Sequence, residues 1–201
     1  MWFKPKSEHI YQAWSRVNRA DFLPAGQKNK SDLDQPLPIG FGQTISQPSV
    51  VAFMLELLAP KPGGKYLDVG SGSGWTTALL AEIAGEQGKV WAIEIVPEIK
   101  QFGQRNVSRY GFEAKGVVEF ILGDGSRGYS AEAPFDGILV SASATELPLA
   151  LKEQLKIGGR LVIPVGQEIH QIIRKGEKDF ETNAFSGFVF VPLRSSYESK
   201  D

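Results

Sequence analysis

The sequence contains no cysteine, which removes disulfide frameworks, thiolate nucleophiles and cysteine metal ligands together. Histidine is almost missing too. His9 and His170 are the only two, and both fall outside the motifs described below, so a surface or packing role is the default for each. No window approaches the roughly 18 uninterrupted apolar residues of a membrane span. The opening Met1-Trp2-Phe3-Lys4-Pro5-Lys6 has no apolar stretch of signal-peptide length, and the expectation is a cytoplasmic, soluble protein. Charge of one sign is also lacking. A net charge of −1, with acids and bases interspersed, offers no broad field for nucleic-acid phosphates or an anionic membrane, so neither partner is expected.

What is present suits one domain. A chain of 201 residues can bury one substantial core but is short for two. Ile10, Tyr11, Trp14 and Val17 space a short amphipathic helix over 8–18. From Asp21 to Pro48 the prolines, glycines and polar residues read as a long non-regular segment. Loops of that length in compact domains are usually functional, which marks this one as a candidate lid or substrate segment. A regular alternation then begins. Helices are expected over Ser49–Leu58, Trp75–Ala84, Glu98–Tyr110 and Pro148–Leu155, and strands over Lys65–Val69, Lys89–Glu94, Val117–Leu122, Phe135–Ser141 and Gly159–Pro164. Strands joined by helices give right-handed crossovers and a doubly wound, mainly parallel α/β sheet covered on both faces. Two closing strands, Gln171–Arg174 and Gly187–Leu193, have no helix-length segment between them and should pair antiparallel at one edge.

The densest local signal is Asp68-Val69-Gly70-Ser71-Gly72-Ser73-Gly74, set between a strand and a helix. Ligands of doubly wound sheets lie at the carboxyl ends of strands, where glycine lets backbone approach closely and the next helix offers free N–H groups. The spacing G-x-G-x-G is neither the dinucleotide fingerprint nor a P-loop. One glycine is explained by turn geometry alone, whereas three alternating ones are not. Glu94 ends the next strand, where a carboxylate accepts hydrogen bonds from both ribose hydroxyls or simply faces solvent. Asp124, in Gly123-Asp124-Gly125, ends the third; it is either a turn residue or an acceptor for an adenine amino group. Three strands delivering acids to one edge favour a cationic or hydroxyl-rich adenosine ligand over a polyphosphate.

This arrangement resembles the class I methyltransferase fold. The segment Pro36-Leu37-Pro38-Ile39-Gly40-Phe41-Gly42-Gln43-Thr44-Ile45-Ser46-Gln47-Pro48 narrows the resemblance to protein-L-isoaspartate (D-aspartate) O-methyltransferases. Leu67–Gly74, Gly123–Gly125 with Gly128-Tyr129, Ala133-Pro134-Phe135-Asp136, Gly158–Gly166 and Phe190-Val191-Pro192-Leu193 follow in that family's order. Arg19, Phe22 and Pro24 fit its upstream R-x-x-F-x-P text. At Arg194 the chain departs from relatives that have a threonine near the cofactor.

The resemblance implies S-adenosyl-L-methionine as methyl donor, S-adenosyl-L-homocysteine as product, and isoaspartyl peptides and proteins as partners. It implies Ser46 as the active-site residue, with Thr44, Ser46, Asp68, Gly70, Ser71, Gly72, Glu94, Gly123 and Asp124 around the cofactor. Ile39, Gly40, Val191, Pro192 and Leu193 would hold the peptide in extended form, and no metal is implied. Read without the motif, Ser46, two residues before Pro48 at the start of a helix, is better taken as an N-cap. The expected parts are 1–48 as N-terminal helix and substrate segment, 49–166 as cofactor-binding core and 167–201 as edge strands, in one monomeric domain over 1–201. Two other functions fit the same fold: a methyltransferase with a changed acceptor, and a catalytically silent S-adenosylmethionine-binding module.

Overall fold

The computed structural model of the chain describes residues 5–196; the outermost residues of the domain expected over 1–201 lie outside them. Its apolar, β-branched runs form the centre of a seven-stranded sheet. β3 (Lys65–Val69), β4 (Lys89–Glu94), β5 (Val118–Leu122), β6 (Phe135–Val140) and β7 (Leu155–Val165) follow a hairpin of β1 (Leu37–Gly40) and β2 (Gln43–Ile45). β8 (Glu168–Arg174) and β9 (Phe180–Ser186) complete it, in the order β5-β4-β3-β6-β7-β8-β9. Pairing is parallel from β5 to β7 and antiparallel from β7 to β9. The expected doubly wound sheet with an antiparallel edge is what the chain builds.

Helices α1 (Glu8–Arg16), α2 (Pro48–Leu58), α3 (Trp75–Ala84), α4 (Pro97–Ser108) and α5 (Leu149–Glu153) cover the sheet. The two-residue period of a strand sends neighbours to opposite faces. Tyr66, Leu139 and Val162 therefore pack with Ile10, Leu55, Leu79 and Ile99 of the first four helices. Leu67, Ile138 and Leu161 join Leu151 of α5 on the other face. β3 lies between β4 and β6, so the connections on its two sides leave in opposite directions and open a crevice at its carboxyl end. The glycine cluster sits there.

Two expectations are corrected. The segment 21–48 is not wholly irregular: it holds the β1–β2 hairpin and a 3-10 turn over Ala25–Lys30, with another over Arg19–Phe22 beside it. Gly40, Phe41 and Gly42, all at positive φ, make the tight reversal that Pro and Gly content alone had suggested was loop. The last strand is Phe180–Ser186, not Gly187–Leu193. Gly187 at φ +100 breaks the extended chain, and Pro192 lacks the N–H that a ladder needs. What remains of pairing there is a single bridge, Ser143 to Pro192. The true strand was hidden by its polar text, FETNAFS, which matches its largely exposed edge position.

The glycine loop is fixed from behind by α4. Asn106 Nδ2 donates to the Ser73 carbonyl at 3.0 Å, and Gly103 lets the helix touch the loop, because a Cβ there would stand 2.5 Å from the Gly72 carbonyl oxygen. The opposing atoms are backbone and cannot swing away. Gly103→Ala is therefore expected to lower stability by about 1–3 kcal/mol in urea unfolding and to weaken ligand binding at the loop in calorimetry.

Candidate active site

At the crevice the backbone of Gly70 and Gly72 adopts positive φ, a conformation open to glycine without strain. Gly70 and Ser71 N–H groups donate to the Ile93 carbonyl at 2.8 and 3.1 Å, tying the loop to the end of β4. Glu94 completes the tie. Its Oε2 accepts from Gly72 N–H at 3.0 Å, and its Oε1 accepts from Ile95 and Val96 N–H at 2.8 and 3.0 Å. A carboxylate offers about four acceptor positions; three are taken and one remains on Oε2. Ser71 Oγ is buried beside the same cleft without a hydrogen-bond partner among the described residues.

Asp68 lies under the loop. It is fully buried, and its Oδ2 accepts from Thr76 and Thr77 Oγ1 at 2.9 and 2.6 Å, both at the start of α3. Oδ1 has no partner. Desolvation, offset by the two hydroxyls and reinforced by the nearby Glu94 charge, raises its pKa to about 6. Asp124 likewise turns inward, its Oδ1 accepting from Ser126 N and Oγ at 2.9 and 2.6 Å and its Oδ2 facing Arg127 Nε at 3.3 Å. Gly123 and Gly125 line the cleft on either side of it.

Two clefts meet at the β2–α2 junction. One is walled by the glycine loop, Glu94, Gly123 and Leu193, the other by Pro36, Val50 and the backbone-rich run from Gly187 to Phe190. Thr44, Ser46, Ser141 and Val191 line both. Val191 is held in place by Ser143, whose N–H donates to the Val191 carbonyl while the Leu193 N–H donates to the Ser143 carbonyl, each at 2.8 Å. The alternative N-cap role for Ser46 fails on geometry. The N-cap of α2 is Gln47, with no side-chain cap bond, and the free amide of Ser49 is capped from a distance by Asp34 Oδ1 at 2.8 Å. Burial of Asp34 pushes its pKa up, but hydrogen bonds from Ser49 and Gln47 and the Arg19 charge hold it below the ordinary value. Ser46 Oγ has no partner among the described residues.

Thr44, Ser46, Gly70, Ser71, Gly72, Glu94, Gly123, Val191, Pro192 and Leu193 thus surround the first cleft, together with Arg194. Asp68 and Asp124 brace its walls without lining it. Ile39 is buried, within reach of the glycine loop at Gly72, and Gly40 belongs to the hairpin tip; neither lines the clefts. The sequence reading missed Ser141 and Asp34. Ser141 follows the fourth parallel strand as Glu94 ends the second, a signal that was available. Asp34 caps a helix that begins 14 residues later, and no local pattern announces such a cap.

Because burial favours the protonated form of Asp68, the folded protein holds a proton that the unfolded chain has already released between about pH 3.8 and 6. Its contribution to stability is complete below that window and is lost as pH rises through it. Relative to Asp68→Asn, the wild type should lose about 3 kcal/mol between roughly pH 3 and roughly pH 8 in paired urea titrations. A difference that does not change with pH would contradict this.

A family model described as protein-L-isoaspartate(D-aspartate) O-methyltransferase matches residues 4–198. The protein-L-isoaspartate O-methyltransferase of Staphylothermus marinus is 42% identical over 205 residues, covering 98% of this chain and 90% of that protein. Protein-L-isoaspartate O-methyltransferase 2 of Archaeoglobus fulgidus is 45% identical over 198 residues, covering 96% of this chain and 89% of that protein. Among solved structures, a Plasmodium falciparum protein described as a protein-L-isoaspartate O-methyltransferase, crystallised with S-adenosyl-L-homocysteine, aligns with a TM-score of 0.84 at 26% identity, covering 95% of this chain and 92% of that one. The chain belongs to the protein-L-isoaspartate (D-aspartate) O-methyltransferase family.

Proposed function

We propose that the chain methylates the free α-carboxylate of L-isoaspartyl residues in damaged proteins and peptides, with the glycine-loop cleft holding S-adenosyl-L-methionine and the neighbouring cleft holding the peptide. A protein-repair methyltransferase is the activity its family membership gives. The observation that carries the division of labour is that the two clefts share Thr44, Ser46, Ser141 and Val191. A group bound in one is thereby presented to a group bound in the other.

The residues present fit the donor. The remaining acceptor position on Glu94 Oε2 suits a ribose hydroxyl, and the bare backbone at Gly70 and Gly72 admits the amino-acid portion, with Ser71 Oγ available beside it. Asp68 and Asp124 act through the loops they brace. When bound, the donor supplies an electrophilic methyl group on a sulfonium. The acceptor oxygen belongs to a carboxylic acid with a pKa of about 4, already ionised at neutral pH, so the protein needs no general base. Its own task is to align the carboxylate and keep water from it, which in favourable cases lowers a barrier by about 7–11 kcal/mol. Ser46 Oγ, unpartnered at the junction, donates a hydrogen bond that orients the carboxylate. The Gly187–Val191 run, together with Thr44 and Ser46, holds the peptide backbone extended; Ile39 and Gly40 act only through the hairpin they share with Thr44.

No helix among the described residues is long and apolar enough to cross a membrane. The near-neutral charge offers no broad field for nucleic-acid phosphates, which supports peptide rather than nucleic acid as the acceptor; the setting proposed is a monomer in the cytoplasm.

Labelled S-adenosyl-L-methionine, incubated with matched isoaspartyl and aspartyl peptides, should yield base-labile methyl ester on the isoaspartyl peptide alone; equal labelling of both would sink the assignment. Ser46→Ala should lower kcat by about tenfold or more, the size of one hydrogen bond to a charged group. Calorimetric affinity for S-adenosyl-L-homocysteine should stay essentially unchanged.

A further inference from the structure

Arg19 follows α1 and is 6% exposed; its Nε is buried without a hydrogen-bond partner among the described residues, so its burial is compensated through the two terminal nitrogens. Its partners are all backbone carbonyls. Nη1 donates to Ser31 at 2.8 Å and Leu33 at 3.1 Å, and Nη2 donates to Gln35 at 2.9 Å and Ser46 at 3.1 Å. The first three acceptors precede the β1–β2 hairpin and the fourth follows it, so one planar guanidinium joins the two ends of the 31–46 segment. Desolvation lowers its pKa to about 10, opposed by Asp34 and Asp32, and the group stays charged at neutral pH. Its face also lies over the ring of Trp75, 5.4 Å from the centroid, and Trp75 lines the first cleft.

We infer that Arg19 is a positioning residue for methyl transfer: by clasping Ser31, Leu33, Gln35 and Ser46 at the base of the hairpin, it fixes the backbone of Ser46 where the two clefts meet. The inference rests on the proposed function and adds to it the group that sets the geometry. Ser46 has a second restraint one residue on, where Gln47 Nε2 reaches Asp34 Oδ2 at 3.2 Å. That contact is a single exposed bond; the clasp makes four charge-assisted bonds from a buried side chain, which makes it the stronger of the two. No other side chain substitutes for it. A lysine presents three donors from one point and a glutamine presents two, whereas the four carbonyls need the forked geometry of guanidinium.

The glycine-loop wall of the cofactor cleft does not depend on this clasp, because Glu94 and Asn106 hold it independently; the clasp reaches that cleft only through Ser46 and Trp75. Loss of Arg19 should therefore separate transfer from cofactor binding. In Arg19→Ala, kcat toward an isoaspartyl peptide is expected to fall by about 100-fold, the scale associated with a misplacement of roughly 1 Å. Affinity for S-adenosyl-L-homocysteine should hold within about threefold by calorimetry, less than one hydrogen bond's worth. Amide exchange over 31–46 should accelerate, with that over 65–80 unaltered.

A third cleft, lined by Trp14, Asp32, Leu33, Pro48 and Arg19 itself, borders the guanidinium. Free guanidinium at millimolar concentration should restore part of both kcat and exchange protection in the alanine variant, a result that general destabilisation does not produce. If the alanine variant does not fold, Arg19→Lys carries the same measurements. Full kcat in either variant, unchanged exchange over 31–46, or parallel loss of kcat and cofactor affinity overturns the clasp. Should the wild type methylate neither peptide, the proposed function falls, and the exchange measurement still decides whether Arg19 holds the segment.

Discussion

Everything at the crevice depends on one carboxylate being spent on backbone. Glu94 accepts from the amides of Gly72, Ile95 and Val96, and so holds the end of β4 against a loop whose only side chains between Gly70 and Gly74 are two small serines. Glycine in a loop is conformationally expensive to order. The charge-assisted bond to Gly72, with Glu94 itself anchored by the other two, offsets part of that entropy and helps set the loop's shape before any ligand arrives. Gly103 and Asn106 of α4 close the loop from the other side. The binding surface is consequently main chain held by buried polar contacts, with little left to side-chain rotamers.

The central part of this arrangement was legible in the sequence because its signals are local. A buried parallel strand reads as an apolar run, and β3, α3 and β4 begin and end where their text says they do. The glycine cluster sits between the first two, and Glu94 at the end of the third. Position at a strand end, however, says nothing about which way a side chain turns. Asp68 and Asp124 both face inward, toward Thr76 and Thr77 or toward Ser126, because each caps backbone or hydroxyl groups next to it before it can face a ligand.

The edges of the molecule were harder to read, for a physical reason that differs at each place. β9 is exposed on an outer edge, so its composition is free to be polar and carries no apolar signature. In the run from Gly187 to Leu193, Phe188, Phe190, Val191 and Leu193 are partly buried while Val189 is exposed, and Gly187 and Pro192 keep the run out of the sheet. In the segment 21–48 the hairpin is only a few residues long and is held by contacts distant in sequence. Arg19 lies 27 residues from Ser46, and Asp34 caps an amide 15 residues away. Periodicity cannot reveal such closures.

The division between those two kinds of contact matches a division of chemical labour. A reaction between an already ionised oxygen and an already activated methyl group asks nothing of a side chain's proton affinity, which is consistent with a cleft junction built from two hydroxyls, a serine at the end of β6 and an apolar Val191. What it asks for is distance and direction. In the cleft proposed for the cofactor these come from a loop that follows β3 and is braced against the end of β4. In the cleft proposed for the peptide the wall must admit a long, variable polymer, and it includes a hairpin outside the seven-stranded sheet. A buried cation gripping four carbonyls is the economical way to give such a wall a defined place: it acts on backbone, it stays charged across the physiological range, and its single side chain governs both ends of the segment at once.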